Sequence, residues 1–91
     1  MTHNSERPVL IVEDDAESRQ GIVEILKTNG FENVVEASNG REALDYLIGP
    51  ANKEPSVIVL DIGLPEMTGW ELLVIIKAYH RLSLIPVGAI G

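Results

Sequence analysis

The stretch VIVLDIGLPEMTGW (residues 57–70) runs four β-formers, Val57, Ile58, Val59 and Leu60, directly into Asp61. Gly63, Pro65 and Gly69 then mark a loop before a helix-like segment. A continuous apolar run of strand length reads as a strand buried on both faces, as in a parallel sheet covered by helices. The same arrangement occurs near the start of the chain, where Val9–Val12 lead into Glu13, Asp14 and Asp15.

After these acids, DAESRQGIVEILKTNG (15–30) predicts a helix with Ile22, Ile25 and Leu26 on one face and Gly30 as its stop. FENVVEA (31–37) reads as a second short strand, and SNGREALDYLIG (38–49) as a short helix with Ala43, Leu44 and Leu47 on one side. The segment 49–55 is a loop bracketed by Pro50 and Pro55. Thr68 and Glu71 have capping-box spacing, so a helix is expected through WELLVIIKAYHRL (70–82). IPVGAIG (85–91) reads as a fourth strand, weakened by Gly88 and Gly91. Alternating strands and helices predict an α/β fold: a doubly wound parallel sheet with right-handed crossovers and helices on both faces. Residues 1–91 make one domain, with a flexible N-terminus over 1–7 and no internal repeat.

Fourteen acidic against seven basic residues give a net charge of −7, and no basic stripe concentrates the cations. Such a chain repels nucleic acid, so direct nucleic-acid binding is not expected. No apolar run approaches the roughly 20 residues of a membrane span, and MTHNSERP (1–8) lacks a secretory h-region. The absence of cysteine excludes disulfide and thiolate chemistry and fits a cytoplasmic location.

In open α/β sheets, ligands bind beyond the carboxyl ends of the strands. If the strands ending at Val12 and Asp61 are neighbours, three or four carboxylates converge there. Like charges so close are costly unless a cation neutralises them or some protons stay on. Hard oxygen ligands, with no cysteine and no converging histidine, favour Mg²⁺. A Mg²⁺ site beside a carboxylate nucleophile suits phosphoryl transfer to Asp61.

The chain resembles the receiver domain of two-component response regulators. VLIVEDD (9–15) is similar to that family's first strand and acid pair, and VIVLDIGLPEMTGWELL (57–73) to its acceptor motif D-x-x-[LM]-P-x-M-x-G. EASNGREAL (36–44) and IPV (85–87) also fall where the family has them. The resemblance implies a flavodoxin-like sheet and phosphorylation of Asp61 by a histidine kinase or phosphotransfer protein. It implies Mg²⁺ held by Glu13, Asp14, Asp61 and the backbone carbonyl of Gly63, with Asp15 starting the first helix and Pro65 and Gly69 shaping the loop. The chain would not be an enzyme beyond slow self-phosphorylation and self-dephosphorylation. A haloacid-dehalogenase-type phosphatase fits poorly, because its second aspartate falls at Gly63.

Relative to the family the sheet is incomplete: about four strands and three helices, with the fifth strand and last two helices absent. The family's switch Thr or Ser falls at Gly91, and Lys27, Lys53 and Lys77 do not match its fifth-strand lysine. Without the last helix, apolar positions of the first and third strands are expected to face water, and the fourth strand becomes an exposed edge. LLVIIK (72–77) carries five consecutive apolar residues. Leu72, Leu73 and Ile76 suffice for the core, so Val74 and Ile75 should look outward. These features allow a homo-oligomer through the uncovered sheet or through Val74 and Ile75. They also frame an alternative function, a receiver-derived oligomerisation or interaction module that no longer switches.

Overall fold

The apolar run Val9–Val12 forms β1, and all four of its side chains are buried. It is followed by α1 (Ala16–Thr28), β2 (Val34–Ala37), α2 (Gly40–Ile48), β3 (Val57–Asp61), α3 (Gly69–Ala78), a 3-10 turn (Leu82–Leu84) and β4 (Val87–Ile90). This computed structural model describes residues 7–64 and 68–90. Most of the expected flexible start, the loop-shaping role of Pro65 and the position of Gly91 lie outside the described residues. Of the segment 1–7, Arg7 is described, and its guanidinium donates to the carbonyls of Glu54 and Pro55 at 3.3 and 2.9 Å.

All strands are parallel, in the order β2-β1-β3-β4. Because side chains alternate along a strand, the sheet separates two apolar clusters. Leu10, Val12, Ile58 and Leu60 pack with Ala43 and Leu47 of α2 and Leu72 and Ile76 of α3. Val9 and Ile11 pack on the other face with Val23 of α1, flanked by Leu26, Val57 and Val59. Each fully buried Leu or Ile contributes about 1.5–3 kcal/mol relative to exposure. Helices therefore lie on both faces, and the fold is the doubly wound parallel sheet expected from the alternating pattern, with the flavodoxin-like strand order that the resemblance implies.

The helix boundaries have local causes. The Asp15 carboxylate accepts from the Ser18 N–H at 2.8 Å and caps α1. At the other end Gly30 has φ 94°. Its N–H reaches the Lys27 carbonyl and that of Phe31 the Leu26 carbonyl, a Schellman stop. Asn39 caps α2 through the Glu42 N–H at 2.8 Å. Thr68 and Glu71 form the expected capping box, at 3.1 and 2.9 Å.

Three expectations need correction. Ile25 is 65% exposed, and Val23 is the buried residue of α1. At about 100° per residue, a stripe centred on Val23 and Leu26 turns position 25 outward. The third helix ends at Ala78 rather than Leu82. Tyr79 leaves it in an extended conformation, and a Ser83 N–H to Tyr79 carbonyl bond of 2.8 Å turns the chain. That break lets both Leu82 and Ile85 enter the core. Finally, β1 is not open to water, because α1 covers Val9 and Ile11, while Val57 and Val59 of β3 are only half-buried.

The exposed edge strand and Val74 agree with the expectation, and Ile75 does so only in part. Gly88, Ala89 and Ile90 of the edge strand β4 are exposed. Val74 is 70% exposed, while Ile75 is partly covered. Among the described residues no helix is long and apolar enough to cross a membrane.

Candidate functional site

The strand order reverses direction between β1 and β3, which places a crevice at their carboxyl ends. Val12 is paired with Leu60 in register. One step further on, Glu13 and Asp61 stand abreast as their strands run out. Glu13, Asp14 and Asp61 each present a carboxylate oxygen within 4.8 Å of the others. Glu13 and Asp61 are 8% and 9% exposed and form the floor, while Asp14 is exposed at the rim. Asp15, the next acid, is occupied in capping α1, and the Ser18 hydroxyl and N–H hold its carboxyl below its usual range.

Backbone groups fix the two floor carboxylates. Asp61 Oδ1 accepts the Gly63 N–H at 2.8 Å. Gly63, the fourth expected ligand through its carbonyl, thus lies in the turn that immediately follows Asp61. Glu13 Oε2 accepts the Asp15 N–H at 3.1 Å. Burial pushes the Glu13 carboxyl above its ordinary value of 4.5 and the nearby Asp61 and Asp14 carboxylates push the same way, against the Asp15 N–H, which lowers it. The cluster thus carries more negative charge than its setting favours.

Two residues shape this site in ways the sequence did not reveal. Gly69 looks like a loop residue in the motif, yet it is the buried first residue of α3. Its N–H donates to the Ile62 carbonyl at 3.2 Å. A Cβ here would press on the Ile62 Cα and stand 2.6 Å from the Asp61 carbonyl oxygen. Only glycine lets α3 start so close to the acid-bearing strand. Arg19, one turn into α1, donates from Nη1 to the Glu13 carbonyl at 2.8 Å and from Nε to Glu36 at 3.0 Å. Its charge was visible in the sequence, but its reach back to the strand end was not.

The donor set fits a hard cation. It consists of three converging carboxylates, and the chain has no cysteine to favour a softer ion. Chemically, the arrangement offers a strand-held carboxylate at Asp61, with neighbouring acids able to share a cation.

The response regulator receiver domain family model matches residues 9–90. The chain is 35% identical over 79 residues to chemotaxis protein CheY1 of Helicobacter pylori strain J99, covering 87% of this chain and 62% of that protein. It is 42% identical over 69 residues to chemotaxis protein CheY of Bacillus subtilis strain 168, covering 76% of this chain and 55% of that protein. Among solved structures, the phosphorylated cyanobacterial phytochrome response regulator RcpA matches with a TM-score of 0.83 at 32% identity. The Mn²⁺-bound form of response regulator Rcp1 gives 0.83 at 30%. Both structural matches cover 91% of this chain and 63% of the other. The chain therefore spans less than two thirds of the length of these relatives. The acid-ended strands β1 and β3, their order in the sheet and these similarities agree: the chain belongs to the response regulator receiver domain family.

Proposed function

We propose that this chain accepts a phosphoryl group on Asp61 from the phosphohistidine of a histidine kinase or phosphotransfer protein. The observation that carries the reading is the convergence of Glu13, Asp14 and Asp61 at the ends of two adjacent parallel strands. An Asp61 carboxylate oxygen attacks phosphorus, and the bond from phosphorus to the donor's imidazole nitrogen breaks. The bonding pair returns to that nitrogen, and an acyl phosphate remains on Asp61. The Gly63 N–H holds Oδ1 and so orients the carboxylate for attack. Glu13, Asp14, Asp61 and the Gly63 carbonyl would hold Mg²⁺, which would offset the charge of the phosphoryl oxygens. Asp61 acts once per cycle as an acceptor, so the chain is a signalling component rather than a turnover enzyme, with at most slow self-phosphorylation and self-dephosphorylation.

The phosphorylated and Mn²⁺-bound forms of two similar response regulators support this reading. The alternative of a non-switching interaction module is not favoured by these similarities. Incubation with acetyl phosphate and Mg²⁺, followed by intact-mass measurement, tests the proposal. One phosphoryl adduct is expected on the wild-type chain and none on Asp61→Ala. No adduct on the folded wild type, or an equal adduct on Asp61→Ala, contradicts it.

A further inference from the structure

We infer that Arg19 is a positioning residue for the acid cluster, holding the β1–α1 turn at the spacing a cation needs. The inference rests on the reading of Glu13, Asp14 and Asp61 as a cation and phosphoryl site.

The N–H and C=O of one strand residue point toward the same neighbouring strand. The Glu13 N–H faces β2 and donates to the Ala37 carbonyl at 3.0 Å. Its carbonyl therefore also faces β2, but Ala37 is the last residue of that strand, so the ladder has no further amide to offer. Arg19 Nη1 fills the position at 2.8 Å, and this bond is part-buried. A carbonyl partly withdrawn from water and left without its donor is destabilising, so the guanidinium stabilises the turn in this shape.

The guanidinium is itself held. Its Nε donates to Glu36 Oε1 at 3.0 Å, and Gln20 Nε2 reaches the same oxygen at 3.3 Å. The Arg19 side chain is only 17% exposed. Glu36 lies on β2, paired with Ile11 of β1, so the clamp joins two strands to the helix. The fork uses two different nitrogens of one planar group, which a lysine cannot reproduce. Holding the Glu13 carbonyl fixes the first residue of the acid pair, and the Asp15 N–H to Glu13 bond fixes the following turn.

This role opposes the plain electrostatic effect of Arg19. A positive charge beside a cation site repels the cation, so charge alone predicts tighter Mg²⁺ binding once Arg19 is neutralised. Positioning predicts weaker binding. The two accounts differ in sign.

The test measures Mg²⁺ affinity of the 91-residue chain from amide shifts in ¹H–¹⁵N spectra for wild type, Arg19→Lys, Arg19→Gln and Glu36→Gln. Groups that orient metal ligands typically change affinity 10- to 100-fold, so both Arg19 variants are expected to bind Mg²⁺ about tenfold more weakly. Glu36→Gln keeps an acceptor for Nε and should weaken binding less. Without Mg²⁺, the Asp15 amide should exchange severalfold faster in both Arg19 variants, with the centre of α1 unchanged. Tighter binding by Arg19→Gln with unchanged binding by Arg19→Lys would overturn the inference in favour of charge alone. A lower melting temperature with unchanged affinity and Asp15 exchange would overturn it in favour of a simple strut. A wild-type chain that takes up Mg²⁺ but never phosphate defeats the acceptor reading and leaves the Arg19 comparison intact. If wild type takes up no Mg²⁺, the Asp15 exchange rates decide.

Discussion

Gly69→Ala sets two effects of known size against each other. Alanine is favoured over glycine in a helix by up to about 1 kcal/mol, which argues for stabilisation. The added methyl, however, would press on the Ile62 Cα and lie 2.6 Å from the Asp61 carbonyl oxygen and 3.0 Å from the Ile62 nitrogen. Carbon atoms pack best at about 3.5–4.0 Å, so α3 or the turn after β3 must move by about 1 Å. All three contacts are backbone atoms, which cannot rotate aside as a side chain can. Overpacking costs about 1–3 kcal/mol, and several unyielding backbone contacts put this site in the upper part of that range, so it outweighs the propensity gain. A net loss of about 1–2 kcal/mol lowers the melting temperature of a domain this size by about 5–15 °C. Gly21→Ala is the control, because nothing lies within 4 Å of its Cβ position in α1. It should raise the melting temperature by about 4–8 °C through propensity alone. Thermal unfolding followed by circular dichroism reads both. Since the displaced atoms belong to Asp61 and Ile62, Gly69→Ala should also take up phosphate from acetyl phosphate more slowly. A Gly69→Ala chain as stable as wild type would refute the steric argument and the tight joint it implies.

Two further perturbations probe the frame and the charge of the site. Asn39→Ala removes the acceptor for the Glu42 N–H at the start of α2; loss of such a cap costs about 1 kcal/mol. A fall of about 4–8 °C in melting temperature is expected, and no change would mean that the cap does not limit α2. Glu13 has a folded-state pKa above its ordinary 4.5, chiefly from burial. Between that value and the raised folded value the folded chain binds more protons than the unfolded one, so this contribution to stability declines as pH rises. Glu13→Gln lacks the decline and should be more stable than wild type at neutral pH without divalent cation, with Mg²⁺ narrowing the gap. Urea midpoints across the acidic to neutral range check this, and identical pH slopes for the two chains would contradict it.

The sheet was legible because its signals are local. The apolar runs Val9–Val12 and Val57–Leu60 mark central strands of a parallel sheet, fully buried in the first and half-buried at Val57 and Val59 in the second, and the acids that end them locate the crevice. The capping pair Thr68–Glu71 and the stop at Gly30 were likewise local and stand as read. What the sequence hid depends on distance between elements. Ile25 fits a helical apolar stripe as well as Val23 does, and only the docking angle of α1 decides which is buried. The end of α3 at Ala78 is set by the demand to bury Leu82 and Ile85 together. Arg19 meets the Glu13 carbonyl because β2 stops at Ala37 and leaves that carbonyl open, a relation between two strands that no single stretch records.

Chemical trapping tests directly whether the Asp61 carboxylate takes the phosphoryl group. Borohydride reduces an acyl phosphate to the alcohol, which converts an acceptor aspartate into homoserine that peptide mass spectrometry can locate. After incubation with acetyl phosphate and Mg²⁺, reduction should place homoserine at position 61, and omitting Mg²⁺ should abolish it. Homoserine at Asp14 or another aspartate, or none at position 61 in a folded chain, would contradict the account.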